Sequence, residues 1–201
     1  MINIETILKS NIKKFGSISV ESFFNIVLYH ENLGYYKKSN IIGKSGDFIT
    51  SPEISQTFGE IISNSLLLNY DKINKYNNVS LIELGPGRGL LTKDILRTIK
   101  NINYNFFKKI KSVFFLEQSE FFFNYLKNIH DETLIINDIG KLPNNFNIIV
   151  ANEFFDALPI NQFIFRNNRW HKINISLDKK ENFIFTVEKE HIKENFYFPK
   201  N

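Results

Sequence analysis

The 201-residue sequence contains no cysteine. Disulfides, cysteine-ligated zinc, iron–sulfur clusters and a thiol nucleophile are therefore excluded. The four histidines, His30, His130, His171 and His191, show no ligand spacing, so no metal is expected. Arginine is scarce, at Arg88, Arg97, Arg166 and Arg169 only. The net charge of +4 thus rests on lysines interspersed with acids, not on a dense basic stripe, and nucleic acid is not an expected partner. No apolar run approaches the roughly 20 residues of a membrane span. The segment 1–15 lacks the apolar core of a secretory signal and the Arg/Ser richness of a transit peptide. A cytoplasmic setting is expected, or the mitochondrial matrix for a eukaryotic source.

The remaining composition, 43% hydrophobic and 23% charged, is that of a globular protein. Its 21 phenylalanines accompany a richness in Asn, Ile and Lys that resembles AT-rich codon drift. Ile4, Ile7, Leu8, Ile12 and Phe15 recur at helical spacing, with Gly16 as a stop. A second helix follows Ser19 as N-cap. Ser51-Pro52-Glu53 reads as a helix start, with Ser51 at the cap, Pro52 in the first position, and Ile54 to Leu66 continuing. The polar stretch 71–78 marks the expected boundary between an N-terminal helical region, 1–75, and a second domain, 76–201.

After that boundary the rhythm changes. Short apolar strands, Val79–Leu84, Val113–Leu116, Leu134–Ile136 and Phe146–Ala151, alternate with helices, which predicts a Rossmann-like parallel α/β sheet. Gln162–Arg166 and Arg169–Ile175, joined by Asn167-Asn168, read as an antiparallel β-hairpin, to which Phe183–Val187 adds a third strand.

The chemistry concentrates at Glu83-Leu-Gly85-Pro86-Gly87-Arg88-Gly89, which ends a strand and opens a helix. Glycines there allow a tight turn and close approach of a ligand to the main chain, and the helix N-terminus favours an anion. A dinucleotide fingerprint starting at Gly85 needs its third glycine at position 90, which is Leu90. The observed Glu-x-Gly-x-Gly-x-Gly resembles motif I of the class I methyltransferases, where the helix end faces a methionine carboxylate. Glu117, ending the second strand, has two acceptor oxygens suited to both ribose hydroxyls. Asp138 ends the third, where the methyltransferase fold that the motif resembles commonly places an acid against the adenine amino group, and Ile139 can pack on the ring. Asn152-Glu153 ends the fourth strand and Asp156 follows, which by the open-sheet rule puts Glu153 and Asp156 near a reacting centre.

Several blocks occur in order: Gly16-Ser-Ile-Ser-Val20, Gly34-Tyr35-Tyr36, Gly46-Asp47-Phe48-Ile49-Thr50-Ser51-Pro52-Glu53-Ile54-Ser55, Phe58-Gly59-Glu60, the glycine loop with Asp94-Ile-Leu-Arg97, and Asn152-Glu153-Phe154-Phe155-Asp156-Ala157-Leu158-Pro159. Together they resemble the MidA-type methyltransferases, whose mitochondrial members assist assembly of respiratory complex I. The resemblance implies S-adenosyl-L-methionine as cofactor and an arginine on a protein partner as methyl acceptor. It further implies a lid from Asp47 to Glu53, with Thr50, Ser51 and Asn152 among the cofactor contacts. Glu153 and Asp156, with Asp47 as a further candidate, would hold the guanidinium. Relatives of this family carry three more sheet strands, for which no counterpart is found. A fragment, a split gene whose second chain completes the sheet, and a decaying gene are the three readings. A non-catalytic assembly factor retaining the cofactor fold, and a nicotinamide-dependent oxidoreductase, are the competing functions.

Overall fold

The computed structural model describes residues 3–37 and 48–191. In chain order these form α1 (Ile4–Phe15), β1 (Ile18–Ser19), α2 (Val20–Tyr29), α3 (Ser51–Ile54), α4 (Gln56–Leu68), α5 (Tyr70–Ile73), β2 (Val79–Leu84), α6 (Leu90–Ile102), α7 (Tyr104–Phe107), β3 (Ile110–Leu116), α8 (Glu120–Leu126), β4 (Thr133–Ile136), β5 (Phe146–Ala151), β6 (Gln162–Arg166), β7 (Arg169–Leu177) and β8 (Phe183–His191). N-terminal helices, a parallel Rossmann-like sheet and C-terminal antiparallel strands follow one another, as the sequence patterning predicts.

Two compact units divide the described residues, 48–156 and 3–37 with 157–191. The expected boundary at 75 lies inside the first of these units. The segment 51–73 belongs with the parallel sheet, because Phe58, Ile62, Leu66, Leu67 and Tyr70 pack against its core. Ile73 is buried in that core, and Tyr76 stacks on Phe146 with ring centroids 4.1 Å apart. The polar stretch 71–78 is thus a connection within one unit.

In the unit 48–156 all strands are parallel, in the order β4-β3-β2-β5. Every residue of β2 is buried, as expected of a strand covered on both faces. Val79, Leu81, Val113, Phe115 and Ile148 form one core with Leu91, Ile95 and Ile99 of α6. Ile82, Leu84, Phe114 and Ile136 form a second cluster.

Helix α4 lies close on α6. A Cβ at Gly59 would sit 2.5 Å from Cβ of Asp94. Arg97 ties the two helices together, donating to Gln56 Oε1 at 2.6 Å and Glu60 Oε1 at 3.0 Å, with Asp94 Oδ1 3.3 Å away. The Phe58-Gly59-Glu60 and Asp94-Ile-Leu-Arg97 blocks are therefore halves of one helix contact. Because the obstructing atom is a Cβ, rotamer change cannot relieve the clash. The Gly59→Val chain is expected to lose about 1–3 kcal/mol of stability, read as a lowered midpoint in chemical denaturation.

The Ser51 reading is corrected. Thr50 is the N-cap of α3, Ser51 lies inside the helix, and the helix ends after Ile54. Ser55 turns back to extended backbone (φ −153°, ψ 135°), and its side chain accepts from Thr57 N to cap α4. Ser55 thus divides what periodicity joins into one helix.

In the other unit, Asn3 caps α1 by accepting from Thr6 N at 2.8 Å, and Ser19 caps α2 by accepting from Ser22 N at 3.0 Å. Strand β7 is central to an antiparallel sheet, with β8 along one edge and β6 followed by β1 along the other. Asn167 (φ 52°) and Asn168 (φ 60°) form the two-residue turn between β6 and β7. Leu8, Ile12, Ile18, Val20 and Ile175 are its core.

Candidate functional site

Parallel pairing brings the carboxyl ends of the strands level. Leu84 lies opposite Leu116 and Ala151, and Leu116 opposite Ile136. Gly85, Glu117, Asn137 and Asn152 therefore leave the sheet on one edge. Gly85 N donates to Leu116 O at 3.1 Å and Glu117 N to Ile136 O at 3.0 Å, which fixes where the loops begin.

All three glycines of the loop have left-handed φ: Gly85 65°, Gly87 53°, Gly89 70°. This conformation is open to glycine and strained for other residues. Gly89 N donates to Pro86 O at 2.8 Å, closing the turn, and Gly89 is then the N-cap of α6. Having no side chain, it leaves the first-turn N–H groups of α6 to other partners.

One of those partners is Glu83. Its carboxylate, 3% exposed, accepts from Thr92 Oγ1 at 2.6 Å and Thr92 N at 3.3 Å. The strand that delivers the loop thus also caps the helix that the loop opens. Burial raises the Glu83 pKa from 4.5 to about 7, and the two Thr92 bonds restrain the shift.

One cleft gathers Thr50, Pro52, Glu53, Glu83, Gly85, Pro86, Gly87, Arg88, Leu90, Leu91 and Asn152. Five of the residues expected to bind cofactor from the glycine block and its strand ends, Glu83, Gly85, Pro86, Gly87 and Asn152, therefore share a wall with Thr50. Gly89 stands behind it as the cap of α6; a Cβ there would meet the side-chain tips of Ile129 and Leu126 at 2.3 and 2.8 Å. Glu117 faces the loop from the next strand. Its carboxylate accepts N–H bonds from Ser119 at 2.8 Å and from Gln118 and Gly87; burial raises its pKa, and those bonds oppose the rise.

The other expected residues lie elsewhere. Asp138 is exposed and accepts from Gly140 N at 2.8 Å, capping a short 3-10 turn that contains Ile139, itself 54% exposed. Both sit beyond the edge strand β4. Ser51 is in α3 but does not line the cleft. Glu153 and Asp156 are exposed beyond β5, Glu153 with φ of 50°, and neither lines the cleft. Asp47 lies outside the described residues. Among those residues, no group of three or more His, Asp or Glu gathers as for a metal, and no helix is long and apolar enough to cross a membrane.

Sequence reasoning did not single out the ion pair between Arg88 and Glu53. Arg88 Nε donates to Glu53 Oε1 at 2.9 Å, and Nη2 donates to Oε2, making a two-pronged contact. The signal was present in the Ser-Pro-Glu and Gly-Pro-Gly-Arg-Gly blocks, but nothing in the linear spacing joins them.

The chain spans less than half the length of the curated relatives it matches. The zebrafish (Danio rerio) mitochondrial protein arginine methyltransferase NDUFAF7 is 34% identical, the match covering 85% of this chain and 46% of the relative. The human NDUFAF7 is 30% identical, with 85% and 44% covered. A crystal structure of a Burkholderia thailandensis protein bound to S-adenosyl-homocysteine superposes with a TM-score of 0.67 at 20% identity, covering 92% of this chain and 49% of that one, and so shares the fold. A family model described as "Putative S-adenosyl-L-methionine-dependent methyltransferase" matches residues 61–200. With that match over most of its length, and with the glycine loop, its helix and the strand ends arranged as described, the chain belongs to the MidA-type family of S-adenosyl-L-methionine-dependent methyltransferases.

Proposed function

We propose that the chain binds S-adenosylmethionine at the glycine loop and serves methyl transfer to an arginine of a protein substrate, such as a subunit of a complex I-type assembly. One observation carries the cofactor reading. Three left-handed glycines at alternate positions end on a helix cap without a side chain, in a cleft shared with a buried carboxylate and an amide. A zwitterionic amino-acid end fits that donor set: backbone N–H groups and the α6 N-terminus for its carboxylate, and the Glu83 carboxyl and Asn152 amide for its ammonium. A dinucleotide's pyrophosphate brings no ammonium to meet the Glu83 carboxyl and Asn152 amide.

When bound, S-adenosylmethionine supplies a methyl on a sulfonium that already carries its leaving group. The residues of the chain then have to bind, orient and exclude water. Glu117 would accept from the ribose hydroxyls in place of some of its present N–H bonds. Asp138 and Ile139 would meet the adenine, Thr50 and Ser51 would cover the site, and Gly89 would keep the helix end open. Glu153 and Asp156, with Asp47, would hold a guanidinium by forked hydrogen bonds and localise its charge, as an acceptor protonated at neutral pH requires.

The NDUFAF7 relatives bear the name of protein arginine methyltransferases, which supports arginine as acceptor. A second reading, a cofactor-binding assembly module without transfer, is favoured by the position of Glu153 and Asp156. They follow β5, which pairs with β2 alone among the described strands, and both are exposed there. Transfer of labelled methyl from S-adenosylmethionine to an arginine-containing protein tests the first reading, with S-adenosylhomocysteine and NAD titrated separately. Saturable S-adenosylhomocysteine binding with labelled arginine in the hydrolysate is expected. Binding without transfer leaves the module reading, and binding of NAD alone overturns both.

A further inference from the structure

The glycine loop faces an unusual neighbour. Helix α3 is one turn long, and none of its four residues is fully buried; Ile54 is 73% exposed. Packing therefore does little to hold it, yet Thr50, Pro52 and Glu53 line the same cleft as Gly85 and Gly87. Its side-chain link to the loop is the two-pronged contact of Glu53 with Arg88. The Glu53 side chain is 7% exposed and that of Arg88 32%, so the pair is partly withdrawn from water and screened less than a surface pair.

Charge gives the pair a further role. Among the described residues that line the cleft, Glu53 and Glu83 are acids and Arg88 is the cation. Arg88 is therefore the cationic side chain that an incoming carboxylate meets in the cleft. A guanidinium has five N–H donors, and Glu53 engages two of them, leaving three for another acceptor.

We propose that Arg88 binds the carboxylate of the cofactor's amino-acid end and that Glu53 is its positioning residue, tying α3 to the glycine loop at the same time. The assignment rests on the cofactor reading above. It makes the cleft selective for ligands that keep the amino-acid end, and it couples the seating of segment 50–54 to that end.

Isothermal titration of the 201-residue chain with S-adenosylhomocysteine and with 5′-methylthioadenosine, which lacks the amino-acid end, tests it. In Arg88→Met and in Glu53→Gln, S-adenosylhomocysteine affinity is expected to fall about 10- to 100-fold, the scale of a charge-assisted hydrogen bond. Methylthioadenosine affinity should change less than about threefold. The double variant should be no weaker than Arg88→Met, because Glu53 acts through Arg88. Arg88→Lys, which keeps the charge but not the fork, should recover part of the loss.

Equal losses for both ligands, or an unchanged S-adenosylhomocysteine affinity, overturn the assignment; thermal melts of each variant show whether an equal loss reflects unfolding. A wild-type chain that binds neither ligand overturns the cofactor reading itself, and the role of the pair with it.

Discussion

The Gly85→Val chain is expected to lose S-adenosylhomocysteine affinity by at least about 100-fold, equivalent to about 2.7 kcal/mol, and to lose about 2–4 kcal/mol of stability. Two effects add. Gly85 has φ of 65°, a conformation that a β-branched residue adopts only under strain. A Cβ there would also stand 2.7 Å from Cδ2 of Phe154, a ring atom packed against the second core cluster, not the end of a flexible chain. The loop must therefore move, and its N–H groups with it. Gly16→Ala is the matched control: φ is 81°, but nothing lies within 4 Å of the added Cβ, and the residue belongs to the other unit. It should lower stability by about 1 kcal/mol and leave ligand affinity unchanged. Equal affinities for wild type and Gly85→Val would remove the loop from the binding site.

The second large effect concerns Glu83. Burial raises its pKa from 4.5 to about 7, so in that interval the folded chain holds a proton that the unfolded chain releases. The contribution to stability is fully present below pH 4.5 and is lost as pH rises through 7. Wild-type stability should therefore fall across this window by up to roughly 3 kcal/mol from this group alone. The Glu83→Gln side chain is neutral at every pH and can still accept from Thr92 through its carbonyl oxygen. It should flatten the slope and make the chain more stable than wild type above pH 7. Denaturant titrations at pH 5, 6, 7 and 8 read this directly. Parallel pH curves for the two chains would mean that Glu83 is already ionised in the fold at pH 5.

How far the sequence discloses this architecture depends on the range of the interaction. Local chemistry is legible. Gly16 ends α1 at φ 81°, Ser19 caps α2 through Ser22 N, and Asn167-Asn168 supplies two left-handed residues to a hairpin turn. The strands that alternate with helices are where apolar runs place them, and Glu83, Gly85, Gly87 and Asn152 meet because parallel strands end level. Competition between neighbouring caps is less legible. Thr50, Ser51 and Ser55 are all good cap residues, and residue type alone does not choose Thr50 and Ser55 among them. Long-range pairing is not legible at all: the Glu53 contact with Arg88, the Arg97 clamp and the pairing of β1 with β7 join residues that no periodicity relates. The same limit holds at 71–78. Composition marks 71–78 as a break, but Tyr76 stacks on Phe146 across the sequence.

The pairing of Ile18 with Ile175 and Ser19 with Asn174 sets an order of events during synthesis. Translation delivers α1, β1 and α2 first, yet their sheet partner β7 emerges after β2 to β5. Closing so long a loop is entropically costly and slow unless the intervening chain is already compact. Until β7 emerges, Leu8, Ile12 and Val20 lack Ile173, Ile175 and Leu177, the part of their core that this strand supplies.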